Sequence, residues 1–212
     1  MTLGANLPHP GSLVPDFIAQ RRSIRSFTPE PVSLDLIDAI VEAGCAAPAP
    51  HHSRPWRFVV VHTERAKQEL ALGMGEQWRA DLGNDGVDPV RIDELVESSH
   101  RKLVGAPVLV VGCLTWDGLD RYPDEHRQRA EWGMALLSLG AAVENLMLAA
   151  ADAALASCWV AAPIFCPEAA RDALALDAAW LPHALVLVGH PDPNYVGRPR
   201  PPIPLDELRA RR

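Results

Sequence analysis

The sequence predicts a single domain that mixes helices with a few buried strands. Three short apolar runs carry the strand half of that reading: residues 57–62, with Phe58-Val59-Val60-Val61 at their centre, residues 107–114 and residues 184–189. The helical half rests on residues 124–154, a proline-free stretch rich in Ala, Leu, Met and Glu, for which one long helix is the simplest assignment. At 212 residues and 48% hydrophobic, the chain can bury one sizeable core, alone or completed by a partner subunit. A second catalytic domain does not fit.

The elements follow in order. Residues 1–11 read as a tail, and residues 12–212 as one domain. A short helix is expected over residues 15–20, with Pro15 in its first turn and Phe17 and Ile18 as its apolar patch. It delivers the chain to Arg21-Arg22-Ser23-Ile24-Arg25. Ser33 is placed to cap the next helix, Asp35 suits its positive end, and Leu34, Ile37 and Val41 repeat at helical spacing until Pro48 and Pro50 stop it. Residues 57–62 are expected as a central strand. Two helices, 64–79 and 89–104, are joined by the polar turn Leu82-Gly83-Asn84-Asp85-Gly86, a candidate substrate loop. The second half of the helix over 124–154 is apolar on nearly every face, which implies complete burial in a core or against a partner, and so a homodimer. After it, residues 157–161 read as a short strand and 167–175 as a helix opened by proline. Residues 191–204 form a proline-rich extended stretch within a C-terminal arm, 190–212.

A net charge of -7 argues against a surface built to neutralise nucleic-acid phosphates. No N-terminal stretch has the basic end, apolar centre and small-residue cleavage site of a leader, so a cytoplasmic location is expected. Residues 133–156 are apolar, but Glu144, Asn145 and Asp152 interrupt them, which favours a buried soluble helix over a membrane span. The four cysteines, Cys45, Cys113, Cys158 and Cys166, form no CxxC pair, so reduced buried thiols are expected rather than disulfides or zinc.

Two segments carry chemistry. Three arginines and a serine within residues 21–25 suit either a solvated basic turn or an anion, and the planar guanidinium fork matches phosphate. Arg198 and Arg200 in the arm form a second basic pair that could meet the same phosphate. The segment Ala46-Ala47-Pro48-Ala49-Pro50-His51-His52-Ser53-Arg54-Pro55-Trp56 lies between a helix end and a strand. Its small residues permit backbone approach to a flat ring and its prolines stiffen it; the bland alternative is a rigid loop with two hydrated histidines. Adjacent histidines diverge, so no metal site is expected there. No GxGxxG follows a strand, which excludes a separate dinucleotide-binding domain of that type.

These residues resemble the nitroreductase family. Arg21 through Phe27 looks like its RRSxRxF element, and Ala47-Pro48 through Arg54-Pro55-Trp56 like its PSxxNxQPW-type loop; the resemblance spans roughly residues 12–208. It implies an α+β nitroreductase-like fold: a mostly antiparallel central sheet flanked by helices, a long central helix, and a dimer that exchanges C-terminal arms and binds FMN at the subunit interface. Further segments are similar to the nitroreductase-like C-terminal domain of FbiB proteins, which act in coenzyme F420 biosynthesis. They are the APAPHH-x-RP loop, Trp78-Arg79-Ala80-Asp81-Leu82 with Asp85-Gly86, Tyr122-Pro123-Asp124, and Ser157-Cys158-Trp159 with Ile164-Phe165.

By this resemblance, Arg21, Arg22, Ser23 and Arg25 would hold the FMN phosphate and ribitol, with Arg198 or Arg200 approaching from the arm. Pro48, Ala49 and Pro50 would line the isoalloxazine from the other subunit, and His52, a further cofactor contact, stands where the family commonly has asparagine. The backbone of Cys158, Trp159, Val160 and Ala161 would face the reactive edge of the ring. Trp78, Arg79, Asp81, Asp85 and Gly86 are candidate substrate contacts, with Trp78 equally readable as helix packing, and Tyr122 as a proton donor or a loop anchor. FMN would carry the chemistry without a protein nucleophile, with NAD(P)H or reduced F420 as electron donor. The implied reaction is reduction of dehydro-F420-0 to F420-0 by a stand-alone subunit, any glutamyl ligation belonging to a separate F420 glutamate ligase. The alternatives are a broad nitroreductase or quinone reductase, a non-catalytic F420-binding partner of such a ligase, and a flavin-fragmenting enzyme.

Overall fold

The computed structural model describes residues 18, 19, 21–197, 199 and 201–212. Four strands build the centre: β1 (Trp56–Val61), β2 (Val108–Leu114), β3 (Ala156–Val160) and β4 (Leu181–Gly189). They are hydrogen-bonded in the order β1-β2-β4-β3, and every neighbouring pair is antiparallel. Helix α1 (Leu34–Cys45) and the long α4 (Glu125–Asp152) cover one face, and α2 (Glu64–Asn84), α3 (Pro89–Val104) and α5 (Pro167–Ala173) the other. A single turn, α6 (Leu205–Leu208), lies in the arm. This is the α+β arrangement expected, with an antiparallel sheet between helical layers.

The alternation of strand side chains splits the core in two. Val108 and Val110 of β2 join Val186 and Val188 of β4 against Ile37, Ile40, Leu139, Val143 and Leu146. Leu109 and Val111 join Leu185 and Leu187 against Leu70, Met74 and Ala170. Because both faces are covered, β2 and β4 are written as continuous apolar runs instead of alternating ones. A side chain on Gly112 would come within 3.1 Å of the Leu139 side chain, so its bare Cα lets α4 lie close on the sheet.

Several expectations shift. The run at 57–62 forms an edge strand, β1, whose inner residues are only half-buried; nothing in its apolar composition distinguishes an edge from a centre. Helix α2 continues past residue 79 to Asn84, so the polar connection shrinks to a turn around Asp85 and Gly86. Gly83 is tolerated there because it faces open space, and the stop is made by Gly86 at φ +76°. Helix α1 ends at Cys45, ahead of the prolines, and Ser33 occupies its N-cap position without a side-chain cap bond. Asp88 and Asp124 do cap, accepting from Val90 and Arg91 N–H and from Arg127 N–H. Helix α4 is long and apolar enough to cross a membrane by length and composition, and its buried stripe packs against α1 and the sheet. Its burial is one-sided: Leu137 is 77% exposed in the single chain. The helix expected at 15–20 is represented by Ile18 and Ala19, in helical conformation, its other residues lying outside the described ones.

Candidate functional site

The arginine segment runs along the open edge of β3. Ser23 forms a parallel bridge with Ser157, and Ile24 N–H donates to Ser157 O at 3.0 Å. Four residues after Ser23, Phe27 bridges Pro191, and Thr28 N–H donates to His190 O at 3.0 Å. Ser26 Oγ donates to the Asp192 carboxylate at 2.9 Å, and Asp192 N–H donates back to Ser26 O at 3.2 Å. The Asn194 N–H and this Ser26 hydroxyl hold the Asp192 carboxyl below its usual range. The segment is thereby pinned on one side to β3 and on the other to the root of the C-terminal arm. Arg21 pairs with Glu144 of α4 at 3.0 Å, while Arg22, Ser23 and Arg25 are exposed.

At this edge a cavity of about 340 Å³ opens between β3, β4, α2 and α3. Arg25 and Lys102 line it together with the hydroxyl residues Ser98 and Ser99, the indoles of Trp78 and Trp159, and Cys158 and Val160. Ser98 and Lys102 stand four residues apart in the last turns of α3, so they share a helix face. Two cations, two hydroxyls and two aromatic surfaces suit a flat ring that carries negative charge or carbonyl oxygens. Ser98, Ser99 and Lys102 are additions to the residues read from the sequence. The available signal was polar residues at spacings of three and four on a helix that half-buries Leu95 and buries Leu103.

Cys158 sits against this cavity, its Sγ donating to Trp159 O at 3.6 Å. Burial pushes its thiol up from the usual range, opposed by the nearby charges of Arg25, Arg21 and Lys102. A protonated buried thiol is a packing group and not a nucleophile. Tyr122 is also raised, by desolvation first and then by Asp120 and Glu131, and its OH lies 3.5 Å from the Asp120 carboxylate. Its backbone N–H donates to Gln128 at 3.0 Å, so Tyr122 anchors the approach to α4.

The loop around Pro48 to His52 lies apart from this cavity, none of whose lining residues it supplies. Pro50–His52 form a 3₁₀ turn closed by His52 N–H to Ala49 O at 3.2 Å and Ser53 N–H to Pro50 O at 2.9 Å. His51, His52 and Arg54 adopt φ of 53°, 56° and 46°. Left-handed backbone at non-glycine residues costs roughly 1–2 kcal/mol each, so three in four positions form a strained loop that its surroundings must hold. Both histidines are solvent-facing in the single chain.

Of the five candidate substrate residues, Trp78 alone lines the Arg25 cavity. Arg79 turns to the outer groove between α2 and α3, paired with Asp93 at 2.5 Å, and Asp81 accepts from Gln77 at 2.9 Å. Asp85 and Gly86 form the α2 terminus, with Asp85 N–H donating to Asp81 O at 3.0 Å. Ala161 is exposed just beyond β3. Arg198 and Arg200 lie outside the described residues.

The chain is similar to proteins of one family throughout. The nitroreductase family model matches residues 18–190. A Bacillus subtilis protein, YfhC, named for NAD(P)H nitroreductase activity, is 24% identical over 198 residues, covering 92% of this chain and 93% of its own length. A shorter segment of 75 residues, 30% of this chain, is 41% identical to an iodotyrosine deiodinase of Daphnia pulex; the match spans 25% of that protein's length. Among solved structures, a nitroreductase from Desulfovibrio desulfuricans in complex with FMN superposes with a TM-score of 0.66 at 28% identity, over 92% of this chain and 94% of that one. Family match and shared architecture agree over the same stretch, from the arginine segment through the last strand, and on that basis the chain belongs to the nitroreductase family.

Proposed function

We propose that this protein is an FMN-dependent reductase whose cofactor ring occupies the cavity beside Arg25. The observation that carries the reading is the convergence of Arg25, Lys102, Ser98 and Ser99 with Trp78 and Trp159 at the edge of β3. This donor set fits FMN: cations and hydroxyls for the oxygens of the ring's polar end, indoles for its flat faces, and the exposed Arg22 and Ser23 beside it for ribitol and phosphate. Arg198 or Arg200 would complete the phosphate site from the arm. When bound, FMN supplies reversible hydride transfer.

The chain's own groups then have defined work. Arg25, on the segment that runs along β3, and Lys102, on α3, would stabilise negative charge at the ring's polar end. Ser98 and Ser99 donate hydrogen bonds, and Trp78 and Trp159 restrict water at the ring faces. With the ring seated in this cavity, donor and acceptor would share its one open face and visit in turn, so turnover would follow ping-pong kinetics with NAD(P)H, or reduced F420, leaving before the acceptor enters. The naming of YfhC supports the nicotinamide as donor.

For the acceptor we favour dehydro-F420-0, reduced at its side-chain double bond in coenzyme F420 biosynthesis, on the FbiB-like segments around residues 47–55, 78–86 and 157–165. A broad nitroreductase or quinone reductase is the second reading, supported by the likeness to YfhC and by the exposure of Trp159, at 41%, on an open cavity. A separate glutamate ligase would be the partner in the first reading only.

The functional unit is proposed as a cytoplasmic homodimer. The exposed Leu137 of α4 and Phe165 are apolar surface suited to a second copy, and β1 has, among the described residues, an unpaired backbone edge free of proline that an exchanged arm from residues 190–212 would pair. Pro48, Ala49, Pro50 and His52 would then reach the partner's flavin. The test is incubation of the FMN-reconstituted protein with NAD(P)H or reduced F420 and either dehydro-F420-0, read as a two-hydrogen mass gain, or a nitroaromatic. Turnover of nitroaromatics with no mass gain on dehydro-F420-0 would select the second reading.

A further inference from the structure

We propose that residues 115–118, the first turn after β2, are a clamp that holds the strained His51–Arg54 loop in its ligand-facing shape, making Gly118 and Asp117 positioning residues for His52. The proposal rests on the reading of that loop as a wall of the flavin site, and concerns what keeps the wall in place.

A run with three left-handed non-glycine residues relaxes unless neighbours over-determine it. The loop's internal bonds are the two of its own 3₁₀ turn, and those do not reach Arg54. The restraint comes from the other side of β1. Thr115 N–H donates to Pro55 O at 2.9 Å, extending the β1–β2 ladder by one bond into the loop. Arg57 Nη1 donates to Trp56 O at 2.9 Å and to Arg54 O at 3.3 Å, and Arg57 Nη2 pairs with the Asp117 carboxylate at 3.1 Å. Asp117 is itself oriented through its N–H, which donates to Thr115 Oγ1 at 2.7 Å. Thr115 is fully buried, so the anchor of the chain of contacts is fixed in the core.

Gly118 closes the clamp. It has φ +74°, and a Cβ there would come within 2.9 Å of Ser53 O and 3.3 Å of Ser53 Cα. Those are backbone atoms, which cannot rotate away as the end of a side chain can. Any other residue at 118 must push Ser53, and with it His52, or move its own turn away from the loop. The Ser53 Oγ is buried without a hydrogen-bond partner, which is consistent with a residue placed by backbone packing and not by its hydroxyl.

The test compares Gly118→Ala, Asp117→Asn and Asp117→Glu with the wild-type chain. One readout is amide hydrogen exchange of the peptide covering residues 50–54, and a second is the visible circular dichroism and affinity of added FMN. Gly118→Ala should speed exchange in that peptide by roughly tenfold and Asp117→Asn, which weakens an exposed pair, by roughly two- to fivefold, both leaving β2 and β4 protected, altering the flavin dichroism and weakening FMN to a similar degree. Asp117→Glu, which keeps the carboxylate, should recover part of both effects. Wild-type exchange in both Gly118→Ala and Asp117→Asn overturns the clamp, as does faster exchange with unchanged flavin signals. If Gly118→Ala does not fold, Asp117→Asn decides, since it alters an exposed carboxylate. If the wild-type protein takes up no FMN, the flavin reading fails, and the exchange measurement alone decides whether the clamp exists.

Discussion

Removing the Lys102 ammonium, as in Lys102→Ala, tests the cavity assignment at a residue that sequence patterns did not suggest. Lys102 lies in the last turn of α3, is solvent-exposed and lines the same cavity as Arg25. A hydrogen bond to a charged group contributes about 1.5–3 kcal/mol, and solvent exposure places this one near the lower end, at ~1–2 kcal/mol. That corresponds to FMN binding weaker by roughly 5- to 30-fold. Stability should change by less than about 1 kcal/mol, because only the favourable end-of-helix position of the lysine is lost. The assay is titration of flavin-free protein with FMN, followed by quenching of flavin fluorescence, in low and high salt. The loss should shrink between about 0.01 M and 1 M salt, as the Debye length falls from ~30 Å to ~3 Å. Arg25→Ala should behave alike, and the double variant should lose less than the sum if both cations face one ring. Unchanged affinity for Lys102→Ala at low salt, alongside a large loss for Arg25→Ala, would remove the ring from this cavity.

Gly44→Val should lower the melting temperature by roughly 4–8 °C, about 2 kcal/mol, read by calorimetry. Even a Cβ there meets Ala142 O at 3.0 Å and Leu146 Cβ at 3.3 Å, where α1 crosses α4. Acid should detach the arm root from the arginine segment. The Asp192 carboxyl is depressed in the folded chain, so its contribution is present above the unfolded value near pH 4 and disappears as pH falls through the lower folded value. FMN retention should fall in that window in the wild type, whereas Asp192→Asn should be weakened already at neutral pH. Iodoacetamide at neutral pH should leave Cys113, Cys158 and Cys166 unmodified in the folded protein, as mass spectrometry of peptides will report. Burial pushes Cys113 up to about 12, Cys166 up to about 11, and Cys158 in the same direction.

The strands and the long helix were legible because burial on two faces, or along one stripe, writes itself into apolar spacing. The Pro89–Val104 helix was read to the residue, since proline suits a first turn and Gly105 follows the last. The place of β1 at the edge was not legible, because strand order is set by long-range pairing that apolar composition does not encode. Unusual charge density drew attention to residues 21–25, of which Arg25 alone lines the cavity with Trp78 and Cys158 while Arg21 pairs with Glu144. Arg79, Asp81 and Asp85 are near Trp78 in sequence, yet helix periodicity turns Arg79 toward Asp93 and leaves the three out of that cavity. Lys102 was missed for the complementary reason: a lone lysine late in a helix resembles an ordinary end-of-helix cation until the fold sets it beside Arg25. The positive φ angles of His51, His52 and Arg54 had only a weak signal, the mild preference of histidine for left-handed backbone, because no glycine or asparagine marks them.

The central claim is that the Arg25 cavity holds the ring of FMN. Its most direct test is FMN titration of the purified, flavin-free protein beside Arg25→Ala, with the visible absorption spectrum recorded throughout. Uptake should be saturable, the flavin spectrum should shift, and binding by Arg25→Ala should be weaker by about 1–3 kcal/mol in a salt-sensitive way. A folded protein that takes up no FMN, or one that binds it equally well without Arg25, would contradict it.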